Sequence, residues 1–303
     1  MKKRFIALFL LIICVIPISA CSTSSPDTSF EITFIDVGQG DSALVECEGE
    51  YMLIDVGTNT KSSSEKIRGL LQEKGINELK YLVVSHWHED HYGGLRQTPN
   101  ALQNITAIDY LLCNKDPYEK NNLSNILPII SERINKIIVP NVKDSYTLGG
   151  ASIDVIEVCA DQENDSLVLL VTYGKTRFLF TGDAVGKTQS KIADTLRGMS
   201  KILKTGENLI KMPHHGGYNI DLALPSGASD NSLATLVNES YAKYFVISVG
   251  AGNSYGHPHK ETLEIIDQVL DVNNLDKESH LFRTDECGNV SFTSNGKKII
   301  PIQ

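Results

Sequence analysis

The chain has 303 residues, of which 41% are hydrophobic and 21% charged, and its formal net charge is −9. This composition is typical of a globular protein with a full core, and it excludes a disordered or collagen-like chain. The acidic balance also argues against tight, sequence-independent binding to DNA, which needs Lys and Arg to neutralise phosphates. Scattered lysines such as Lys201, Lys204 and Lys211 are expected on a solvated face.

The N-terminal segment has the pattern of a targeting sequence. Positive charges at residues 2–4 precede an almost unbroken apolar run over residues 5–16. This run is shorter than the roughly 20 residues of a transmembrane helix, and small residues follow it, as in a signal peptide. Residues 18–21, Ile-Ser-Ala-Cys, resemble a bacterial lipobox; an ordinary signal peptide and an uncleaved anchor are the alternatives. We therefore expect a lipoprotein signal peptide over residues 1–20, a lipid on Cys21, and a location at the extracytoplasmic face of a bacterial cell membrane.

Residues 21–29 are small and polar and are predicted to be a flexible tether. Loss of the three basic side chains of the leader takes the formal charge from −9 to −12. Residues 30–303 are then expected to form one domain, because α/β enzymes often run to about 200–250 residues as a single unit.

The first elements of this domain are predicted to be strands. Alternating or apolar patterns place them over residues 30–35, 42–47, 51–54 and 81–84. A turn is expected at residues 38–41. The apolar face of residues 64–74, followed by Gly75, predicts a helix.

Strands and helices are mixed in the rest of the chain. Further strands are predicted over residues 136–139, 151–158, 167–173, 177–180, 209–212 and 244–249. Helices are predicted over residues 126–134, 187–203, 233–239 and 261–270, with a hairpin around Asn289 at the end. Strands first, then strands and helices together, indicate an α/β protein in which helices cover a sandwich of sheets.

A dense cluster of metal-binding residue types follows the strand at 81–84. His86, His88, Asp90 and His91 lie within one six-residue stretch. A loop at the end of a strand can direct such side chains into one cleft, and imidazole with carboxylate suits zinc, manganese or iron. The alternative is a histidine-rich surface loop. In a metal site, His86 and His88 can face one ion while Asp90 and His91 face its neighbour.

Residues 86–91 resemble the H-x-H-x-D-H signature of the metallo-β-lactamase superfamily. Residues 180–183, Phe-Thr-Gly-Asp, resemble the Gly-Asp at a strand end whose aspartate bridges two metals, and residues 212–216, Met-Pro-His-His-Gly, resemble its later histidine motif. The resemblance implies an αββα sandwich, with two mixed sheets flanked by helices, and two divalent metal ions, zinc or manganese. The implied metal ligands are His86, His88, Asp90, His91, Asp183 and His215.

The chain also resembles a narrower group of proteins. Residues 34–42, 164–169, 214–216 and 253–258 match, in the same order, motifs of the hydrolase domain at the C-terminus of ComEC/Rec2-type competence proteins. A streptococcal teichoic-acid phosphorylcholine esterase is similar at the metal motifs, and this likeness favours His215 over His214 as the ligand.

Three departures separate the chain from these families. We expect no polytopic membrane domain such as competence proteins carry, so a role as a DNA channel is not implied. Many of their hydrolase domains have Asp at the position of His88, which bears on the choice of metal. Lactamases and thioesterases place a histidine between the first motif and the bridging aspartate. Residues 92–182 contain none, and Asn164 with Asp165 takes that place, so β-lactam hydrolysis is not expected.

The resemblance implies a metal-dependent hydrolase, namely a phosphodiesterase or nuclease that uses a hydroxide activated by two metals. The leader implies that this hydrolase is extracytoplasmic. The alternatives are a cell-envelope phosphodiesterase of the phosphorylcholine or teichoic-acid type, and a non-catalytic binding lipoprotein with the same fold. The expected partners are a phosphodiester substrate, either nucleic acid or envelope polymer, and the membrane; no protein partner is inferred.

Asp90, His214 and His257 are the candidate catalytic residues. One of His214 and His215 is expected to complete the shell of the second metal while the other points at the substrate. His257 is a candidate to hold a phosphate oxygen or to protonate a leaving group. The candidates to orient the ligands are Asp36, Gln39, Asp41, Asp55, Asn164 and Asp165. For the opening turn, carboxylates that cap backbone amides are the alternative.

Overall fold

The computed structural model describes residues 30–117, 130–159, 166–218 and 231–302. The predicted signal peptide and tether, with Cys21, lie outside these ranges, as do Asn164 and Asp165. Within them, no helix combines the length and apolar character needed to cross a membrane.

The first sheet has eight strands in the order β15-β14-β1-β2-β3-β4-β5-β6. Their bounds are Phe30–Phe34 (β1), Ala43–Cys47 (β2), Glu50–Ile54 (β3), Glu78–Val84 (β4), Ala107–Cys113 (β5), Ile134–Ile138 (β6), Val290–Ser294 (β14) and Ile299–Ile302 (β15). Strands β3 to β6 run parallel to one another, and the other pairings are antiparallel, so the sheet is mixed.

The second sheet has seven strands in the order β13-β12-β11-β10-β9-β8-β7. Their bounds are Ser145–Leu148 (β7), Ala151–Val158 (β8), Leu167–Tyr173 (β9), Thr176–Phe180 (β10), Glu207–Lys211 (β11), Tyr244–Ile247 (β12) and Leu281–Arg283 (β13). Strands β10 to β13 are parallel and β7 to β10 antiparallel, so this sheet is mixed as well.

Helices lie outside both sheets. They are Lys61–Glu73 (α1), Glu89–Tyr92 (α2), Gly186–Gly198 (α3), Ser200–Leu203 (α4), Ser232–Ser240 (α5), Lys260–Val272 (α6) and Thr284–Cys287 (α7). Thr60 caps the start of helix α1: its side chain accepts a hydrogen bond from the Ser63 amide, and a cap of this kind stabilises a helix by about 1 kcal/mol.

Three clusters of buried side chains hold these layers together. The cluster between the sheets includes Phe30, which stacks on Phe178 with ring centroids 5.0 Å apart. A second cluster packs Ile67 of α1 against the first sheet, and a third packs Ile192 of α3 against the second. Full burial of each such side chain contributes about 1.5–3 kcal/mol. The predicted αββα sandwich of two mixed sheets flanked by helices is therefore confirmed.

Several element predictions need correction. The described part of the predicted 126–134 helix is a 3-10 turn, Ser131–Arg133, followed directly by β6, and strands β5 and β7 were not predicted. The predicted 187–203 helix is interrupted at Met199, between α3 and α4.

The terminal hairpin turns at Asn295 rather than Asn289. Asn295 Oδ1 accepts hydrogen bonds from the amides of Lys297 and Lys298, and Gly296 has φ +76°. An Asn side chain readily accepts hydrogen bonds from backbone amides that follow it, and Gly supplies the positive φ of a turn, so the Asn-Gly pair was the signal that the sequence interpretation overlooked.

Candidate metal centre

The predicted ligands follow three strands that end at the same edge of the sandwich. Residues His86 to His91 follow β4 of the first sheet; Asp183 follows β10 and His215 follows β11 of the second. The amide of Leu167 donates to the Ser85 carbonyl and links the two sheets there. The topology thus brings together residues that are far apart in the sequence.

Asp183 lies at the centre of this cluster and is buried. Its Oδ1 is 3.2 Å from His91 Nε2. Its Oδ2 is 3.6 Å from His215 Nε2, 3.8 Å from His214 Nε2 and 3.9 Å from His86 Nε2. Both carboxylate oxygens therefore face imidazole nitrogens, and the histidines come from both sheets.

Four residues converge most closely. The ligand atoms of Asp90, His91, Asp183 and His215 all lie within 4.8 Å of one another. Asp90 Oδ2 is 3.1 Å from His215 Nε2, while Asp90 Oδ1 is 3.9 Å from His91 Nε2. This group has the size of a single cation site.

A second group adjoins the first on the Oδ2 side of Asp183. The ring of His86 lies 4.6 Å from that of His88 and 4.0 Å from that of His91, between centroids. His86 is buried, His88 is half-buried, and the side chain of His214 is 20% exposed. His86 therefore lies next to the four-residue group, with His88 beside it.

Unsatisfied atoms show that this arrangement fits metal ions. His86 Nε2, His91 Nε2 and Asp183 Oδ1 are buried and make no hydrogen bond among the described residues, since the 3.2 Å approach of the last two lacks hydrogen-bond geometry. Buried polar atoms without a partner are costly and rare in folded proteins. Imidazole and carboxylate donors directed at one point suit a divalent metal ion.

The electrostatics also favour bound cations. Burial alone disfavours a charged His91, but the Asp183 and Asp55 carboxylates outweigh it and raise the pKa of His91 well above its usual range. Burial also disfavours a charged His215, but the Asp183 and Asp41 carboxylates outweigh it and raise the pKa of His215 to about 10. Burial lowers the pKa of His86 well below its usual range. The buried carboxylates therefore attract positive charge, which protons or metal ions can supply.

Asp55 positions His91. Its carboxylate accepts hydrogen bonds from His91 Nδ1 at 2.8 Å, from the Ser85 amide at 2.7 Å and from the Ser85 hydroxyl at 2.7 Å. With Nδ1 held in this way, Nε2 of His91 points toward Asp183, the usual arrangement behind a metal-binding histidine.

Asp41 occupies the matching place behind His215. His215 Nδ1 donates to the Ser248 carbonyl at 3.0 Å and lies 3.2 Å from Asp41 Oδ1. Lys211 forms an ion pair with Asp41 and donates to the Gly182 carbonyl at 3.2 Å. Burial works against the ionised Asp41, but Lys211, His215 and His91 together outweigh it and lower the pKa of that carboxyl.

Lys211 corrects the sequence interpretation, because only 3% of it is exposed. Its position at the end of a strand, directly before the Met-Pro-His-His motif, was the signal that could have revealed this.

His214 and His215 have strained backbones. Their φ angles are +50° and +54°, in the left-handed region that costs a non-glycine residue about 1–2 kcal/mol. Such conformations cluster at functional sites, where the surrounding structure holds them in place.

A cleft of about 500 Å³ opens above the cluster. Its lining residues are Gln39, Thr58, Asn59, Thr60, His88, Glu89, Asp90, Asp183, His214, His215, Tyr255 and His257. The sequence interpretation did not identify Thr58, Asn59, Thr60 or Tyr255 as part of a site, since none belongs to a metal motif.

Gln39 connects the opening turn to His257. Its Oε1 accepts a hydrogen bond from the Gly250 amide at 3.1 Å, which fixes the orientation of the side-chain amide. Its Nε2 therefore donates to His257 Nδ1, at 3.4 Å. Burial, with His214 next in weight, lowers the pKa of His257 to about 4. In the neutral ring the proton is then carried by Nε2.

Asp36 is not brought to the cluster. Its carboxylate accepts hydrogen bonds from the Gly38 amide at 3.2 Å and from Lys66 at 2.6 Å. For this residue the structure shows the alternative, a carboxylate that caps a turn.

The four described cysteines are Cys47, Cys113, Cys159 and Cys287, and all are free thiols.

Comparisons with known proteins agree with this architecture. The family model described as "Metallo-beta-lactamase superfamily" matches residues 35–225. The chain is similar to "ComE operon protein 3" of Bacillus subtilis, with 24% identity over 286 residues that cover 86% of this chain and 33% of that protein. It is also similar to "Recombination protein 2" of Haemophilus influenzae, with 26% identity over 243 residues, 78% of this chain and 26% of that protein. The chain thus spans a third or less of the length of these relatives.

Two solved structures resemble the fold. The metallo-beta-lactamase fold protein YhfI from Bacillus subtilis has a TM-score of 0.56 at 11% identity, and the match covers 88% of this chain and 100% of that one. A CmlA beta-hydroxylase mutant has a TM-score of 0.54 at 11% identity, with 89% of this chain and 55% of that one covered. At such identities the likeness concerns the fold alone.

Proposed function

The chain belongs to the metallo-β-lactamase superfamily, and on this premise we propose that it is a phosphodiesterase that depends on two divalent metal ions. The expected resemblance to ComEC-type competence proteins is confirmed. The observation that carries the proposal is the buried Asp183 carboxylate, which faces four imidazoles at the floor of a cleft.

Two sets of residues support the proposal of two ions. Asp90, His91, Asp183 and His215 would hold one, and His86 and His88, with Asp183 shared, would hold the other. A bound pair of divalent ions lowers the pKa of a coordinated water toward about 7 and neutralises charge on a phosphoryl oxygen.

His257 is the residue of the cleft best placed to act on the substrate. Because Gln39 donates to its Nδ1, the neutral ring presents Nε2–H as a hydrogen-bond donor. A donor there can hold a phosphate oxygen or supply a proton to the leaving oxygen. His214 lines the same cleft, and its ring centroid is 5.4 Å from that of His257.

The charges of the cleft favour a phosphodiester. None of its described lining residues is Lys or Arg, whereas sites for highly charged phosphates use such side chains as clamps. A phosphodiester carries a single negative charge, so the metal ions and His257 can suffice for its recognition.

The experiment is to measure metal content and hydrolysis together on the full chain. We expect two metal equivalents by elemental analysis and hydrolysis of bis-p-nitrophenyl phosphate with added Mn²⁺ or Zn²⁺. Asp183→Asn should abolish turnover. His280→Gln is the matched control, because His280 stacks on Tyr244 at the far end of β12. Absence of bound metal and turnover, or full activity of Asp183→Asn, would refute the proposal.

We further propose that the protein is anchored by a lipid on Cys21 at the extracytoplasmic face of the membrane. The charged and apolar leader and the lipobox-like residues 18–21 support this. Cys21→Ala should move the protein from the membrane fraction to the soluble fraction. Unchanged membrane attachment of that variant would exclude lipidation as the anchor.

A further inference from the structure

We infer that Tyr255 is a stacking platform for one nucleobase at the mouth of the cleft. The substrate is then a nucleoside phosphodiester that binds through a single base and a single phosphate. This inference rests on the proposed phosphodiesterase function and specifies its substrate class.

The exposure of Tyr255 is the first observation. The residue is 67% exposed although it carries a large aromatic ring, and it lines the same cleft as Asp183 and His257. Its ring centroid is 5.8 Å from that of His257, with 30° between the planes. A base on Tyr255 and a phosphate at His257 can therefore belong to the same nucleotide.

The loop that carries Tyr255 is held by the side chain of Asn253. Asn253 Oδ1 accepts hydrogen bonds from the amides of Tyr255 and His257, both at 3.1 Å. Its Nδ2 donates to the carbonyls of Gly250 at 3.0 Å and His257 at 2.6 Å. A loop ordered before binding loses little conformational entropy when a ligand arrives. An exposed aromatic ring is thus presented next to the candidate catalytic residues.

Another part of the cleft lining is neutral and polar. It contains Thr58, Asn59 and Thr60. Glu89, also in the cleft, is paired with Arg96. Proteins that bind long single strands combine aromatic platforms with grooves of Lys and Arg, and the described lining of this cleft has no such side chain. The charges therefore favour one nucleotide over a long strand.

A choline ester fits this cleft less well. Quaternary ammonium groups are usually recognised in cages of several aromatic rings. Among the described lining residues Tyr255 is the sole Phe, Tyr or Trp, and Trp87 is buried outside that set. A single ring is sufficient for a planar base, because stacking needs one face.

The test compares two phosphodiesters on the full chain loaded with Mn²⁺: the dinucleotide thymidylyl-thymidine and glycerophosphocholine. Stacking contributes about 1–3 kcal/mol per base. Tyr255→Leu should therefore lower the ratio of their kcat/KM values, dinucleotide over choline ester, by about 5- to 150-fold, mainly through KM of the dinucleotide. Tyr255→Phe should restore the ratio to within about twofold. Val272→Ala is the control, since Val272 is another exposed apolar residue, on α6 outside the cleft.

A binding measurement separates this inference from the proposed function. By titration calorimetry, the metal-loaded wild-type chain should bind thymidine 5′-monophosphate more tightly than ribose 5-phosphate, and Tyr255→Leu should abolish the difference. Equal binding of the two by the wild type would overturn the platform, even if phosphodiesters are hydrolysed. A wild-type preference for glycerophosphocholine, or a KM that falls steeply with oligonucleotide length, would also overturn it.

Discussion

Two histidines of the candidate centre are positioned in the same way, by contacts to Nδ1. His91 is fixed from behind by Asp55, and His215 by Asp41 and the Ser248 carbonyl. In each case Nδ1 is engaged, and Nε2 faces Asp183. The positioning carboxylates lie far from their histidines in sequence, so no local pattern links the two.

Asp55→Asn should weaken metal binding by about 10- to 100-fold, the usual cost of losing such a partner. The amide removes the charge behind His91 and brings an NH₂ group toward the Ser85 hydroxyl and His91 Nδ1, where only acceptors fit. Competition with a chromogenic chelator would measure the affinity. Asp36→Asn is the control, because Asp36 pairs with Lys66 instead. Indistinguishable affinities for the two variants would exclude this role.

Lys211→Met should lower the free energy of unfolding by about 3–5 kcal/mol, measured by urea denaturation in the presence of EDTA. The substitution leaves the buried Asp41 carboxylate without its ion-pair partner, which is the costly way to disrupt a buried pair. Lys211→Met combined with Asp41→Asn should recover part of the loss, because the unpaired charge is then gone. Losses that simply add in the double variant would show that the pair is not coupled.

At the scale of elements, the loop that carries the histidines is fastened to the segment after β3. The Val56 amide donates to the His91 carbonyl at 2.6 Å, and the Gly94 amide donates to the Gly57 carbonyl at 3.3 Å. A Cβ atom on Gly94 would overlap the Val56 carbonyl oxygen. The close backbone approach, rather than the conformation, therefore requires glycine at this position.

Gly94→Ala should displace α2, lower stability by about 1–3 kcal/mol as overpacking does, and weaken metal binding. Gly69→Ala is the matched control: Gly69 is exposed in α1, and a Cβ there meets no atom within 4 Å. That change should stabilise the protein by about 0.5–1 kcal/mol. Thermal denaturation and metal titration of both variants are the measurements. Equal metal affinities of the two variants would show that the packing of α2 does not affect metal binding.

At the scale of the whole molecule, the candidate ligands join the two sheets. His86, His88, Asp90 and His91 follow a strand of the first sheet, whereas Asp183 and His215 follow strands of the second. A bound metal ion would therefore connect both halves of the sandwich and favour the folded chain.

Added Mn²⁺ or Zn²⁺ should raise the melting temperature of EDTA-treated protein. Binding to the folded state alone stabilises by about 2.7 kcal/mol when the free ion is at 100 times its Kd. Differential scanning calorimetry at several ion concentrations would measure the shift. Asp183→Asn should lose the response. A melting temperature unaffected by metal in the wild-type chain would contradict this prediction.

The sequence by itself determined the sandwich fold, the order of the motifs and the residue types at the candidate centre. These features are local: alternation marks a strand, and histidines directly after a buried strand stand at the edge of a sheet. The tertiary structure decided which side chains meet. It buries Lys211 against Asp41, places Asp55 behind His91, directs Asp36 to Lys66 and brings Tyr255 to the cleft. The physical reason is that each of these contacts joins side chains from separate parts of the chain, and their approach depends on how the strands, helices and sheets pack together.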